Sequence, residues 1–351
     1  MKKRLDLIQV FRGLASMLVV LYHLVSTGEK YFSTKPFNGF FEFGWVGVDF
    51  FFVLSGFIIM FIHYGDIVNK GNWRLFLKKR AIRVYPIYWI VATITFAMYM
   101  ILMHGNMRDE FIFNIHSIDH WIYLVKQYLL VYQETYFVSV AWSLTYEILF
   151  YLIFALCIFV GLRIAKYIVG IWIVMIALKS ITHAAIFSSF VFAPGNYEFL
   201  LGCLVGYLFY KKQFISITKA LVSFSVILIL FVLYLNYFDL TSNMLISKLF
   251  FGSLSALIIW VCASIDYQKV YNAAKIKLLV IIGDSSYSLY LIHPIVLSTL
   301  CRVFAKIKFQ TAYSSAINNM LFLIIFILTV FAGFLFHFFV EKKVLAYLSK
   351  K

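Results

Sequence analysis

Two ionisable residues interrupt the first apolar run of this chain, Arg12 and His23, in F-R-G-L-A-S-M-L-V-V-L-Y-H (residues 11–23). At about 100° and 1.5 Å per residue, eleven steps return His23 to within about 20° of Arg12 and about 16 Å further along a helix. The two side chains therefore share one face. One end is a fixed cation, and the other is the side chain whose ordinary titration lies nearest working pH. Arg12 lies close enough to a membrane boundary to reach lipid headgroups, which is its purely structural alternative. His23 lies too deep for that, and its alternative is a hydrogen-bonded packing residue.

Four further clusters place polar groups in apolar surroundings. In A-W-S-L-T-Y-E (141–147), Ser143 and Glu147 stand at i, i+4, and Tyr151 continues their face. A carboxylate buried in hydrocarbon takes a proton or finds a cation, and a Glu beside a His can orient the imidazole and stabilise its charged form. A neutral Glu147 bonding a neighbouring helix is the alternative. Trp142 reads as an interfacial anchor.

In G-W-V-G-V-D-F-F-F-V-L-S-G-F (44–57), Asp49 is placed to cap a helix or join an ion pair. Gly47, Ser55 and Gly56 suit close helix packing. K-K-R-A-I-R-V-Y-P (78–86) sets Arg80 and Arg83 at a helix start. Guanidinium groups pair with phosphate in bidentate fashion, while topology retention and lipid contact are the alternative use. Pro86 is expected to kink its helix. In G-D-S-S-Y-S-L-Y-L-I-H-P (283–294), Gly283-Asp284-Ser285 signals a helix start that brings His293 near the midplane. Pro294 leaves the carbonyl of Tyr290 without its usual donor. His293 reads as a structural residue or as a catalyst.

These groups require a membrane domain to position them. The 351 residues are 63% hydrophobic, 20% aromatic and 13% charged, whereas soluble proteins carry roughly 25% charged residues. Ten spans are expected, at 8–27, 43–63, 82–103, 138–159, 162–182, 195–210, 218–237, 246–265, 284–304 and 318–340, most near the roughly 20 residues that cross a bilayer. Asp6 is expected as the N-cap of the first. The gaps are too short to bury a soluble core. The fold class is therefore all-α, a polytopic bundle forming one domain over 1–351, with no soluble C-terminal domain expected.

A net charge of +16 suggests nucleic acid until its placement is read. Of 31 Lys and Arg, 21 fall on one side of the alternating spans and nine on the other, with Arg12 inside a span. That asymmetry puts both termini in the cytoplasm and makes anionic lipid the partner of the excess. Lys306 and Lys308 depart from the pattern. The basic N-terminus does not read as a cleaved signal, because its apolar run is too long and carries Arg12 and His23. Cys157, Cys203, Cys262 and Cys301 are scattered singly, with neither metal-ligand nor disulfide spacing, so no metal is expected.

Taken in order, these blocks resemble membrane-bound acyltransferase family 3. They are Arg12-x10-His23, G-x-x-G-x-D-F-F-F-V-L-S-G-F, R-x-x-R-x-Y-P at 80–86, W-S-L-x-x-E at 142–147, E-F-L-L-G at 198–202 and S-Y-S-L-Y-L-I-H at 286–293. The resemblance implies a bundle in a bacterial cytoplasmic membrane that moves an acyl group, often acetyl, from cytoplasmic acyl-CoA to a sugar hydroxyl. Acyl-CoA is then a co-substrate, with no bound cofactor. The acceptor is a polysaccharide or lipid-linked saccharide, and V-A-W-S-L-T-Y-E looks most like members that modify exopolysaccharides. On this reading His23 and Glu147 are catalytic, Arg12, Arg80 and Arg83 bind the donor, and Asp49, Ser143, Tyr151 and His293 support them. The rivals are a carrier or flippase for an anionic glycolipid, against which no paired halves are seen, and a non-catalytic scaffold.

Overall fold

The computed structural model describes residues 5–102, 106–108, 111–182, 190–237, 244–268, 276–306 and 315–348. Lys2, Lys3, Arg4, Lys269, Lys275, Lys308, Lys350 and Lys351, counted in the charge pattern, lie outside the described residues. The chain runs through α1 (Asp6–Phe32), a 3-10 stretch (Pro36–Trp45), α2 (Val46–Val68) and α3 (Trp73–Leu102). A two-stranded antiparallel hairpin follows, β1 (Asn106–Arg108) with β2 (Phe111–Ile112). Then come α4 (Ile118–Tyr128), α5 (Ala141–Val160), α6 (Leu162–Thr182), α7 (Asn196–Tyr210), α8 (Ile217–Tyr237) and α9 (Met244–Gln268). The last elements are α10 (Lys277–Asp284), α11 (Ser286–Lys306), α12 (Ser315–Phe336), a π turn (His337–Glu341) and α13 (Lys342–Leu348).

Among the described residues, 8 helical stretches are long and apolar enough to cross a membrane. The other two expected spans are α7, of 15 residues, and α8, apolar over Thr218–Leu233. The all-α membrane fold expected from composition is therefore present, with β1–β2 and α4 as elements that the apolar pattern did not signal. The chain divides into two compact units.

The first unit is Met1–Ala15, Trp45–Phe76 and Leu149–Asp284. Its centre is α2 packed on α7, with α9 against both. Glycine makes that approach possible. A Cβ on Gly56 would strike the Phe199 carbonyl, one on Gly202 the Val53 carbonyl, and one on Gly206 the Phe57 carbonyl. Gly202 and Gly206 form the small-xxx-small spacing that lets helix backbones touch in a membrane. Phe52 stacks on Phe199 with ring centroids 4.6 Å apart. Asp49, Glu198 and Lys248, all in the first two turns of their helices, join in one ionic cluster. The three helices consequently run the same way.

Asp6 does not cap α1 from outside, because it is the first residue of the helix. The early amides are instead capped across the unit: Leu7 N and Ile8 N donate to the Asp266 carboxylate of α9, at 3.0 and 3.3 Å. The helix begins one residue earlier than a local cap at Asp6 would allow.

The second unit is Ser16–Gly44, Leu77–Ile148 and Ser285–Lys351. Here α11 packs on α12, with Gly333 set against Leu289. At the π turn, Glu341 accepts from Ser288 Oγ at 2.5 Å and pairs with His337 Nδ1 at 2.7 Å. The carbonyls that end α4 accept from side chains of α3: Tyr88 OH to Gln127 O at 2.8 Å, Trp89 Nε1 to Tyr128 O at 2.9 Å and Tyr85 OH to Leu129 O at 3.0 Å. The stretch that follows is irregular yet tucked in, with Leu130, Tyr136, Phe137, Val138 and Val140 buried. Irregular backbone in a membrane protein needs such internal partners.

One boundary differs from expectation. α3 starts at Trp73, so Arg80 and Arg83 lie about two to three turns inside it rather than at its start. Pro86, where a kink is expected, lies within the helix.

Candidate functional site

Both histidines singled out from the sequence belong to the second unit, and they meet. His23 Nδ1, on α1, lies 2.9 Å from the carbonyl of Val19 and 3.3 Å from Nε2 of His293 on α11. His293 Nδ1 lies 3.2 Å from the carbonyl of Leu289. The Tyr290 carbonyl, which Pro294 deprives of an amide, is also within its reach.

A carbonyl only accepts, so each Nδ1 carries the hydrogen. His293 Nε2 is then an acceptor, and the His23 Nδ1–H is shared between Val19 and His293. This tautomer follows from the hydrogen-bond pattern rather than from visible hydrogens. It leaves the lone pair of His23 on Nε2. His293 is 0% exposed, while His23 is half-buried. The pair thus has one enclosed member that orients and one open member able to take a proton from a hydroxyl.

α5 brings the hydroxyl groups. Ser143 Oγ stands 2.6 Å from the Tyr290 hydroxyl and donates to the Val140 carbonyl at 3.0 Å. The Tyr290 hydroxyl also lies 3.4 Å from the Val140 carbonyl, so the two hydroxyls share that acceptor and either one can donate to the other. Tyr290 was missed in the sequence, although it precedes His293 by three residues in S-Y-S-L-Y-L-I-H and so shares its face. Its ring centroid lies 5.9 Å from that of His293. Glu147, half-buried one turn beyond Ser143, is close enough to act electrostatically on the Tyr290 hydroxyl. Tyr287 OH donates to Val84 O at 2.8 Å, tying α11 to α3 next to Arg83. Arg80 is partly buried on that helix and Arg83 is exposed.

The remaining site candidates belong to the first unit. Arg12 Nη1 donates to Gln9 Oε1 at 2.7 Å, one turn back. Beside it, Gly13 lets the backbone of α1 approach Gly283 of α10. Tyr151 is buried, with its ring centroid 6.3 Å from that of Phe76. Asp49 is an ion-pair partner, bonded to Lys248 Nζ. Neither Lys248 nor Glu198 was singled out for chemistry in the sequence, because they lie nearly 200 and 150 residues away from Asp49. The four cysteines are free and buried. Among the described residues, no group of three or more His, Cys, Asp or Glu could hold a metal.

Comparison with known proteins bears directly on this arrangement. A model of the acyltransferase domain family matches residues 5–338. ORF330 of the Acidianus two-tailed virus, provisionally named an acetyltransferase, is 25% identical over 303 residues, 80% of each chain. The exopolysaccharide production protein ExoZ of Rhizobium meliloti is 26% identical over 277 residues, 75% of this chain and 79% of that protein. YrhL of Bacillus subtilis, provisionally named a peptidoglycan O-acetyltransferase, is 26% identical over 233 residues, 58% of this chain and 33% of that one. No solved structure matches the chain. A family match over nearly the whole length, on a multi-pass membrane fold, places this chain in acyltransferase family 3.

Proposed function

We propose that this protein is an integral-membrane O-acyltransferase that moves an acyl group, acetyl the expected one, from cytoplasmic acyl-CoA to a sugar hydroxyl of a cell-surface polysaccharide or its lipid-linked precursor. Family membership supports the reaction class. The names of ExoZ and YrhL support a saccharide acceptor. The observation that carries the reading is the contact between His23 and His293. Acylation of a hydroxyl needs a base near the thioester, and a tautomer-fixed imidazole is one.

Arg12, Arg80 and Arg83 bind the phosphates of the donor in this proposal, through the bidentate geometry of guanidinium. The pantetheine arm follows the face of α1 that Arg12 and His23 share. His23 Nε2 takes the proton of the acceptor hydroxyl as its oxygen attacks the thioester carbonyl. The C–S bond breaks, and the imidazolium returns the proton to the departing thiolate. Glu147 stabilises the imidazolium, while Ser143 or Tyr151 positions the acceptor. Asp49 acts at a distance, through the packing of α2. The same proposal places the protein in a bacterial cytoplasmic membrane, with both termini cytoplasmic by the positive-inside rule and one membrane domain carrying the chemistry.

The test is purified protein in proteoliposomes with labelled acetyl-CoA and a lipid-linked saccharide. Label on the saccharide, lost in His23→Ala at matched protein level, is the expected result. Full transfer by His23→Ala overturns the assignment of the base. Saccharide translocation without label overturns acyl transfer in favour of a carrier.

A further inference from the structure

The cluster of Asp49, Glu198 and Lys248 lies in the first unit, at the joined starts of α2, α7 and α9. Asp49 and Glu198 are each 0% exposed. Lys248 Nζ bonds Asp49 Oδ1 and lies 3.5 Å from Glu198 Oε1, with the ring of Trp45 5.2 Å away. Among the described residues, no other charged group acts on any of the three.

The count of charges is uneven. Two carboxylates face one ammonium, so with all three ionised a dry site would carry a net negative charge, which a low-dielectric interior strongly disfavours. The amides at the helix starts are the natural way to hold a second anion. They make no hydrogen bond to it here: Asp49 Oδ2 and Glu198 Oε2 are buried without a donor, and Glu198 Oε1 has only the Lys248 ammonium at 3.5 Å. Two donorless carboxylate oxygens, one on each acid, beside a single cation call for one shared hydrogen.

We infer that this cluster is a proton-binding site, in which Asp49 and Glu198 hold a single hydrogen between them and Lys248 balances the remaining charge. The bound proton makes the junction of α2, α7 and α9 neutral and supplies one orphaned oxygen with a donor. The inference is independent of the acyl-transfer reading.

Infrared difference spectra of the purified full-length protein test it, through the carboxylic-acid C=O band that shifts in deuterium oxide. Charge balance makes an unusual demand on the variants. Asp49→Asn leaves Glu198 matched to Lys248 and fully ionised, and Glu198→Gln leaves Asp49 likewise. Each near-isosteric variant, measured alone against the wild type, should therefore lose the same single acid band. An acid that is protonated for local reasons would vanish in only one of them. Lys248→Met, with no cation left, should gain a second band. If it does not fold, the two amide variants decide the matter by themselves. Survival of the band in either amide variant overturns the inference. So does a wild type with no band to lose, the result expected if a sodium ion filled the site.

Discussion

His293 reaches across 270 residues of sequence to place its Nε2 3.3 Å from Nδ1 of His23. A Val19 carbonyl alone would leave the outer imidazole free to swing, because one weak acceptor does not fix a ring. His293→Leu should therefore lower kcat by about 10-fold, less than the roughly 10²–10⁴ that the general base itself supplies, with donor KM little changed. His293→Gln offers an oxygen to the same hydrogen and should recover part of the loss. Initial rates of acyl transfer at matched protein level check this, and equal rates for the Leu variant and the wild type would sink the orienting role.

The Tyr290 hydroxyl and Ser143 Oγ share one hydrogen bond of 2.6 Å. Tyr290→Phe and Ser143→Ala should each cost about 0.5–1.5 kcal/mol in transition-state terms, roughly 2- to 13-fold in kcat. The double variant should cost little more than either single one, since a bond removed once cannot be removed again. Additive losses in that cycle would show that the two hydroxyls act separately.

Asp266 caps the start of α1 from α9. Asp266→Ala should lower stability by about 1–2 kcal/mol, the usual value of a helix cap. Asp266→Asn, which keeps an acceptor, should lose less. Thermal unfolding in detergent ranks the two, and an unchanged midpoint for the Ala variant would remove Asp266 from the account of how α1 is anchored.

Glycines in this chain divide sharply by what surrounds them. Gly65 and Gly170 have nothing within 4 Å of a built Cβ. Alanine there should be tolerated, and should add up to about 1 kcal/mol of helix propensity. Gly202 and Gly206 face backbone carbonyls of α2, so alanine at either must push α7 and α2 apart. Expression and detergent-stable yield should fall for these two and hold for Gly65→Ala and Gly170→Ala. Comparable yields across all four would contradict the close packing of α2 and α7.

Much of the molecule was legible before any coordinates. Apolar runs of membrane length located the spans, because in hydrocarbon a backbone must satisfy itself and a helix does so locally. The same logic exposed Arg12, His23, Glu147 and His293 as polar groups in the wrong solvent. The Gly202–Gly206 spacing was equally visible and was passed over. Asp6 and Arg80 show how far local signals reach: each lay within a few residues of its expected boundary, yet a cap from α9 and an early start at Trp73 moved the ends.

What the sequence by itself determined is the solvent, the order of the apolar helices and the list of polar residues that solvent would not tolerate without a reason. These follow from composition and helical period, which are properties of short stretches. Only the tertiary structure decided the pairings: His23 with His293, Ser143 with Tyr290, Asp49 with Lys248 and Glu198, Asp266 with the start of α1. Each joins residues more than a hundred positions apart, where no periodicity operates. The partner is chosen by which helices can approach closely enough to satisfy a buried polar group.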